Sequence, residues 1–212
     1  MPDLNPRCVH LYYAFIEQVR ALPSHALEVL SASEKIQYEK FFFEKDKDSY
    51  FLARYILRTN LTKYIPKIEP QAWKFKFNSF GKPLLSEEHL VDQLHFNLAH
   101  SGGMVVAAFA IGHEIGVDVE KTSRSVRFLE VAKKSFTEAE YQNLKTLSVG
   151  ETQRLKFFEL WTLKEAYVKA RGQGLQIPLD QFSFQTTEND KIEIKFEIKA
   201  TDSSQNCSEQ WQ

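Results

Sequence analysis

Apolar side chains crowd residues 9–15, VHLYYAF, as they do in a buried or half-buried strand. Ser31 and Glu34 then form an S-x-x-E capping box, which predicts a helix running to Phe41. In residues 48–65 apolar positions recur at Phe51, Leu52, Tyr55, Ile56 and Leu61, a helical spacing that Pro66 ends. WKFKF (73–77) alternates as a strand does, and Gly81-Lys82-Pro83 is a turn. LHFNLAH (94–100) and MVVAAFAI (104–111) read as two strands around Ser101-Gly102-Gly103. EIGVDVE (114–120) alternates again. A second capping box, Thr137 with Glu140, carries Phe136 and Tyr141 at the positions of a hydrophobic staple. Residues 153–170 predict a long amphipathic helix closed by Gly172, and 181–186 and 191–198 predict strands around Asn189-Asp190.

The two halves keep step. Their capping boxes begin at 31 and 137, an offset of 106. The same offset carries 9–15 onto 115–121 and 48–65 onto 154–171. The expectation is an α+β fold of two similar halves, 1–111 and 112–212, with a boundary near Ile111-Gly112. A cleft between such halves is a usual place for a ligand.

Composition narrows the classes. Lys and Arg number 27 against 28 Asp and Glu, so bulk charge does not suggest a nucleic-acid binder. Seventeen Phe and a hydrophobic fraction of 43% fit a packed core. The longest apolar run, Met104 to Ile111, is too short to span a bilayer. The opening MPDLNPRC has no apolar stretch of the kind a secretory signal needs. Cys8 and Cys207 are too few and too far apart for a disulfide framework or zinc site, so a reducing cytoplasm is the expected setting.

Four places could carry chemistry. Asp118 and Glu120 share a face if 114–120 is a strand, and two adjacent carboxylates repel unless a cation such as Mg²⁺ lies between them. Taken alone they also read as a solvated strand face. Glu165 and Lys169 stand one turn apart on the long helix, a spacing equally suited to an ordinary ion pair. His100 precedes a glycine-rich turn, and Lys82 sits in a turn where an ammonium could meet phosphate.

The order of these places is more specific than any one of them. GKP, FN-x-x-HS, GVDVE and F-x-x-x-W-x-x-KE-x-x-x-K resemble the 4′-phosphopantetheinyl transferase superfamily, of the single-chain type that activates carrier proteins of peptide, polyketide and fatty acid synthesis. The resemblance covers roughly residues 31 to 186. It implies two α+β halves related by a pseudo-twofold axis, with coenzyme A in the cleft. It implies transfer of the phosphopantetheine arm of coenzyme A to a serine of an apo acyl or peptidyl carrier protein, leaving adenosine 3′,5′-bisphosphate. By the resemblance Asp118, Glu120 and Glu165 hold Mg²⁺, or Mn²⁺, with the three carboxylates converging at metal-binding distance. Glu165 also serves as base for the serine hydroxyl, directly or through water. Lys169 stabilises the leaving bisphosphate, with His100 among the catalytic set. Lys82, Pro83, His100, Ser101, Lys164 and Lys169 contact coenzyme A. Residues 121–136, with Arg124, Arg127, Lys133 and Lys134 beside Val126, Phe128 and Leu129, are offered as part of the carrier-docking surface. The resemblance further implies a monomer, with neither nucleic acid nor membrane as partner.

Three positions depart from the family pattern. Ala99 stands where a serine often precedes the histidine. The helix around Ser49 lacks a basic residue often found there, although Lys45, Lys47 and Arg54 lie close. The chain ends at CSEQWQ where family members continue with strand, so the last sheet of the second half is expected to be short. That leaves an alternative, a catalytically impaired coenzyme A- or carrier-binding protein. A metal-dependent phosphate hydrolase using the D-x-E stretch is a third reading.

Overall fold

A computed structural model describes residues 5–89, 93–186 and 192–196. Among them the chain forms two compact units. One comprises residues up to Lys121 together with Glu165–Gly174; the other comprises Thr122–Lys164 together with residues from Leu175 on. Sequence repetition suggests a division at 111/112, whereas compactness gathers 112–121 and 165–174 with the first unit.

The first unit is built on a three-stranded antiparallel sheet in the order β1 (His10–Phe15), β5 (Met104–Ile111), β4 (Leu94–Ser101). The hairpin between β4 and β5 turns at Gly102 and Gly103, both at positive φ, where glycine carries no Cβ penalty. Its register runs from Leu94 opposite Ile111 to Ser101 opposite Met104. Strand β5 is central, and its unbroken apolar run is buried from Val105 to Ala110. Edge strand β1 alternates, with Tyr12 and Ala14 packed on the core and Leu11, Tyr13 and Phe15 exposed.

Helix α1 (Ala32–Glu39) opens on the predicted capping box, Ser31 accepting from the Glu34 amide and Glu34 from the Ser31 amide. Helix α2 (Glu44–Tyr64) starts four residues before the predicted 48 and lays Leu52, Ile56, Leu57 and Leu61 on the sheet. A small hairpin, β2 (Phe75–Phe77) with β3 (Pro83–Leu85), turns through Gly81.

In the second unit α3 (Phe128–Ser135), α4 (Glu138–Thr146) and the larger part of α5 (Glu151–Arg171) enclose Ala132, Phe136, Leu144, Phe157, Phe158 and Leu160. Thr137 and Glu140 cap α4 as predicted. Strands β6 (Phe182–Thr186) and β7 (Ile192–Phe196) form the predicted hairpin. Its turn at Asn189-Asp190, like Cys207, lies outside the described residues.

Repetition extends to one buried interaction. In the first unit Glu34 Oε2 meets Arg58 Nε at 2.7 Å, and Arg58 Nη1 donates to the Trp73 carbonyl at 3.0 Å. In the second, Glu140 Oε2 meets Lys164 Nζ at 2.8 Å, and Lys164 Nζ donates to the Leu179 carbonyl at 2.7 Å. The offset of 106 maps Glu34 onto Glu140, Arg58 onto Lys164 and Trp73 onto Leu179. It also maps α1 onto 138–145 and α2 onto 150–170, each within one residue of the observed helix. Each half therefore ties a capping-box glutamate to a cation on its long helix.

One predicted strand is absent: residues 114–120 join no ladder among the described residues. The offset places the equivalents of β4 at 200–207, outside the described residues.

Removing one partner of a buried pair leaves the other charge uncompensated, at a cost of about 3–5 kcal/mol. Arg58→Met leaves Glu34 with Arg54, 3.4 Å away, and should lose stability toward the lower end of that scale. Arg58→Lys, which copies the second half, should lose much less. Urea unfolding of the two variants compares them.

Candidate active site

All expected site residues except Lys164 fall in the first unit. Two elements carry the acids, the segment 115–121 and the end of α5. They meet at a glycine. A Cβ on Gly116 would lie 1.9 Å from the Ala166 carbonyl oxygen and 2.4 Å from the Ala170 nitrogen, closer than any real side chain stands. Two alanines on the helix and a glycine facing them let backbone approach backbone. Side chains of β4 replace the missing ladder. Asn97 Oδ1 accepts from the Val117 amide at 2.9 Å, and Ser101 Oγ accepts from the Lys121 amide at 3.2 Å.

This packing brings the charges together. Lys169 Nζ donates to Asp118 Oδ1 at 2.6 Å. The other oxygen, Asp118 Oδ2, is buried without a hydrogen bond. Glu120 Oε2 accepts from Ser101 Oγ at 2.9 Å. Burial is the main force lifting Asp118 above the ordinary aspartate range; Lys169 opposes it and Glu120 adds to it. Burial likewise raises Glu165, helped by the charges of Asp118 and Glu120 and opposed by Lys169. The site's donors are carboxylate oxygens, the chemistry a hard divalent cation takes.

The expected convergence is not met as stated. Among the described residues no three His, Cys, Asp or Glu side chains stand together at metal-ligating spacing. The acids are turned to other donors, Asp118 to Lys169 and Glu120 to Ser101. A shared cation would have to draw them off these partners.

Two expected phosphate contacts turn inward. Lys164 is fully buried in the second unit and is held by Glu140 and by the carbonyls of Leu179 and Phe182. It presents no face to a ligand, which corrects its assignment to coenzyme A. Lys82 is 9% exposed and donates to the Ala170 carbonyl and to Glu114. His100 is exposed at the end of β4, Ser101 is half-buried beside it, and Pro83 opens β3.

In segment 121–136 the apolar residues Val126, Phe128 and Leu129 pack on the core of the second unit, while Arg124, Arg127, Lys133 and Lys134 are exposed. A docking surface here would be basic more than apolar. Sequence reasoning gave no role to Asn97. A buried asparagine in an apolar strand was its signal, because such an amide must find a partner.

The acids thus stand beside a helical lysine in the first unit. Comparison with known proteins supplies the family. The model of the 4′-phosphopantetheinyl transferase superfamily matches residues 114–211, and that of the 4′-phosphopantetheinyl transferase N-terminal region matches 19–111. The 4′-phosphopantetheinyl transferase HetI of Nostoc sp. is 33% identical over 167 residues, which cover 79% of this chain and 70% of that protein. The transferase Sfp of Bacillus subtilis is 29% identical over 80% of this chain and 72% of its own. The transferase gsp of Aneurinibacillus migulanus is 31% identical over 79% and 68%. The chain belongs to the 4′-phosphopantetheinyl transferase superfamily.

Gly116→Ala should force segment 115–121 off the helix. The expected losses are about 1–3 kcal/mol of stability, the usual cost of overpacking, together with most activity. Denaturant unfolding and turnover measured on one preparation check both. Glu165→Gln should do the opposite to stability. A carboxyl with a raised folded pKa imposes no cost below its unfolded value and an increasing one as pH rises through the folded value. In EDTA the variant should therefore gain on the wild type as pH climbs above about 4.5, the ordinary glutamate value. Urea midpoints across pH would overturn this by showing no such gain.

Proposed function

We propose that this protein transfers the 4′-phosphopantetheine group from coenzyme A to a serine of an apo carrier protein, releasing adenosine 3′,5′-bisphosphate. Membership of the superfamily makes it a 4′-phosphopantetheinyl transferase. The observation that carries the reading to these residues is the site itself. The charges of Asp118 and Glu120 help to raise the pKa of Glu165, that of Glu120 helps to raise Asp118, and Lys169 reaches Asp118.

Enzymes of this family use coenzyme A and generally a divalent metal. The orphaned oxygen of Asp118 and the raised carboxyls fit such an ion, and we assign Mg²⁺, with Mn²⁺ as a substitute, to Asp118, Glu120 and Glu165. When bound, the metal neutralises the pyrophosphate and orients it for in-line attack.

The chain's own residues do the rest. The serine hydroxyl attacks the phosphorus bearing the pantetheine arm, and the bond to the adenosine bisphosphate breaks. Glu165, whose raised pKa favours taking a proton, receives the hydroxyl proton directly or through water. Lys169, released from Asp118, meets the negative charge that grows on the leaving bisphosphate. His100, Ser101 and Pro83 border the coenzyme, and exposed Arg124, Arg127, Lys133 and Lys134 receive an acidic carrier face. The protein acts as a cytoplasmic monomer. No described helix is long and apolar enough to cross a membrane. The halves 1–111 and 112–212 are the two copies of a duplicated fold. Nothing observed favours the catalytically impaired alternative.

Incubation with coenzyme A, Mg²⁺ and a panel of apo acyl and peptidyl carriers should yield a carrier heavier by one phosphopantetheine. Folded protein that modifies no carrier would sink the proposal. Lys169→Ala should slow transfer by about 10²–10³-fold, the scale of losing one charge-stabilising donor. Asp118→Asn should abolish it, and the same mass assay reads both.

A further inference from the structure

Lys82 has an unexpected environment. It lies in the turn between β2 and β3, far in sequence from α5, yet its ammonium is buried against that helix. Nζ donates to the Ala170 carbonyl at 2.8 Å and to Glu114 Oε2 at 2.5 Å. These partners belong to the two elements that carry the acids. Ala170 follows Lys169 on the helix and touches the Gly116 contact. Glu114 begins the segment that leads through Gly116 to Asp118.

The turn around Lys82 is shaped for this task. Asn78 Oδ1 accepts from the amides of Phe80 and Lys82, both at 2.9 Å, and the Asn78 amide donates to the Lys82 carbonyl at 3.0 Å. Asn78 Nδ2 then donates to the Gly172 carbonyl at 2.7 Å. Gly172 takes φ +64°, and a Cβ there would lie 2.8 Å from Lys82 Cδ. The last carbonyls of a helix lack partners within it and attract cations. Here one turn supplies an ammonium to one of them, that of Ala170, and an amide to the Gly172 carbonyl just beyond the helix.

We propose that Lys82, Asn78 and Glu114 form a clamp that fixes the end of α5 against the acid-bearing segment, making Lys82 a positioning residue for the transfer reaction. Lys82 crosslinks helix and segment through Ala170 and Glu114. Asn78 holds the turn in shape and grips the helix end. The clamp thereby sets where Glu165 and Lys169 stand relative to Asp118. A Lys82 that instead bound coenzyme A phosphate would have no need of Asn78 or Glu114.

The inference rests on the transferase reading for its kinetic arm alone. Lys82→Met, Asn78→Ala and Glu114→Gln are compared for kcat, for coenzyme A affinity by calorimetry without metal, and for stability in urea. A clamp predicts that all three lower kcat by about tenfold or more, the scale of losing a supporting contact around a metal site. It predicts coenzyme A affinity within about twofold of wild type. It also predicts that Lys82→Met and Glu114→Gln couple in a double-mutant cycle of stability. Lys82→Met weakening coenzyme A while Glu114→Gln and Asn78→Ala leave kcat intact would overturn the clamp. So would unchanged kcat in all three. If Lys82→Met does not fold, the other two variants, whose side chains are less buried, decide between the same outcomes. If the wild type transfers nothing, the transferase reading fails, and the stability cycle still decides whether the clamp exists.

Discussion

The contact of Gly116 with Ala166 and Ala170 is the constraint on which the site depends. It requires three small residues, two of them four apart on one helix. Once backbone lies on backbone, Asp118 has no route away from α5. Its carboxylate is drawn into half-buried surroundings, against Lys169 and near Glu165. Burial raises the pKa of both acids, and the negative charges brought close to them add to the rise. The strand-like alternation of 115–121 thus serves a helix and two β4 side chains, and no ladder partner is described for it.

Much of this was legible in the sequence. Both capping boxes predicted their helices because the box is a local device that needs no tertiary partner. The long helices were legible from their spacing and their terminators. The alternation of 114–120 misled, because period-two patterning reports which side chains share a face and says nothing of whether the backbone has a neighbour. Lys82 and Lys164 misled for a different reason. A sequence shows that a side chain is charged and does not show whether its charge is met by solvent, by phosphate or by a buried glutamate.

A signal for Lys164 was nonetheless present. The offset that aligned the capping boxes also aligned Glu34 with Glu140 and Arg58 with Lys164. A glutamate followed 24 residues later by a cation, twice, at the repeat distance, points to a structural pair. The distances of 2.7 and 2.8 Å in the two units show that pair. Arg58 and Lys164 both also donate to backbone carbonyls.

The same offset places Tyr12, Ala14 and Thr59 where the other copy has Asp118, Glu120 and Glu165, and it places Lys63 at Lys169. Lys63 leans over the Tyr12 ring at 5.3 Å, where Lys169 reaches an aspartate. The lysine is common to both copies, and what it faces has changed from carboxylate to aromatic. An aromatic face holds a cation without asking for a second one. On the function proposed above, a divalent ion would matter to the copy with Asp118 and not to the copy with Tyr12, where the equivalent positions Tyr12, Ala14 and Thr59 carry no carboxylate.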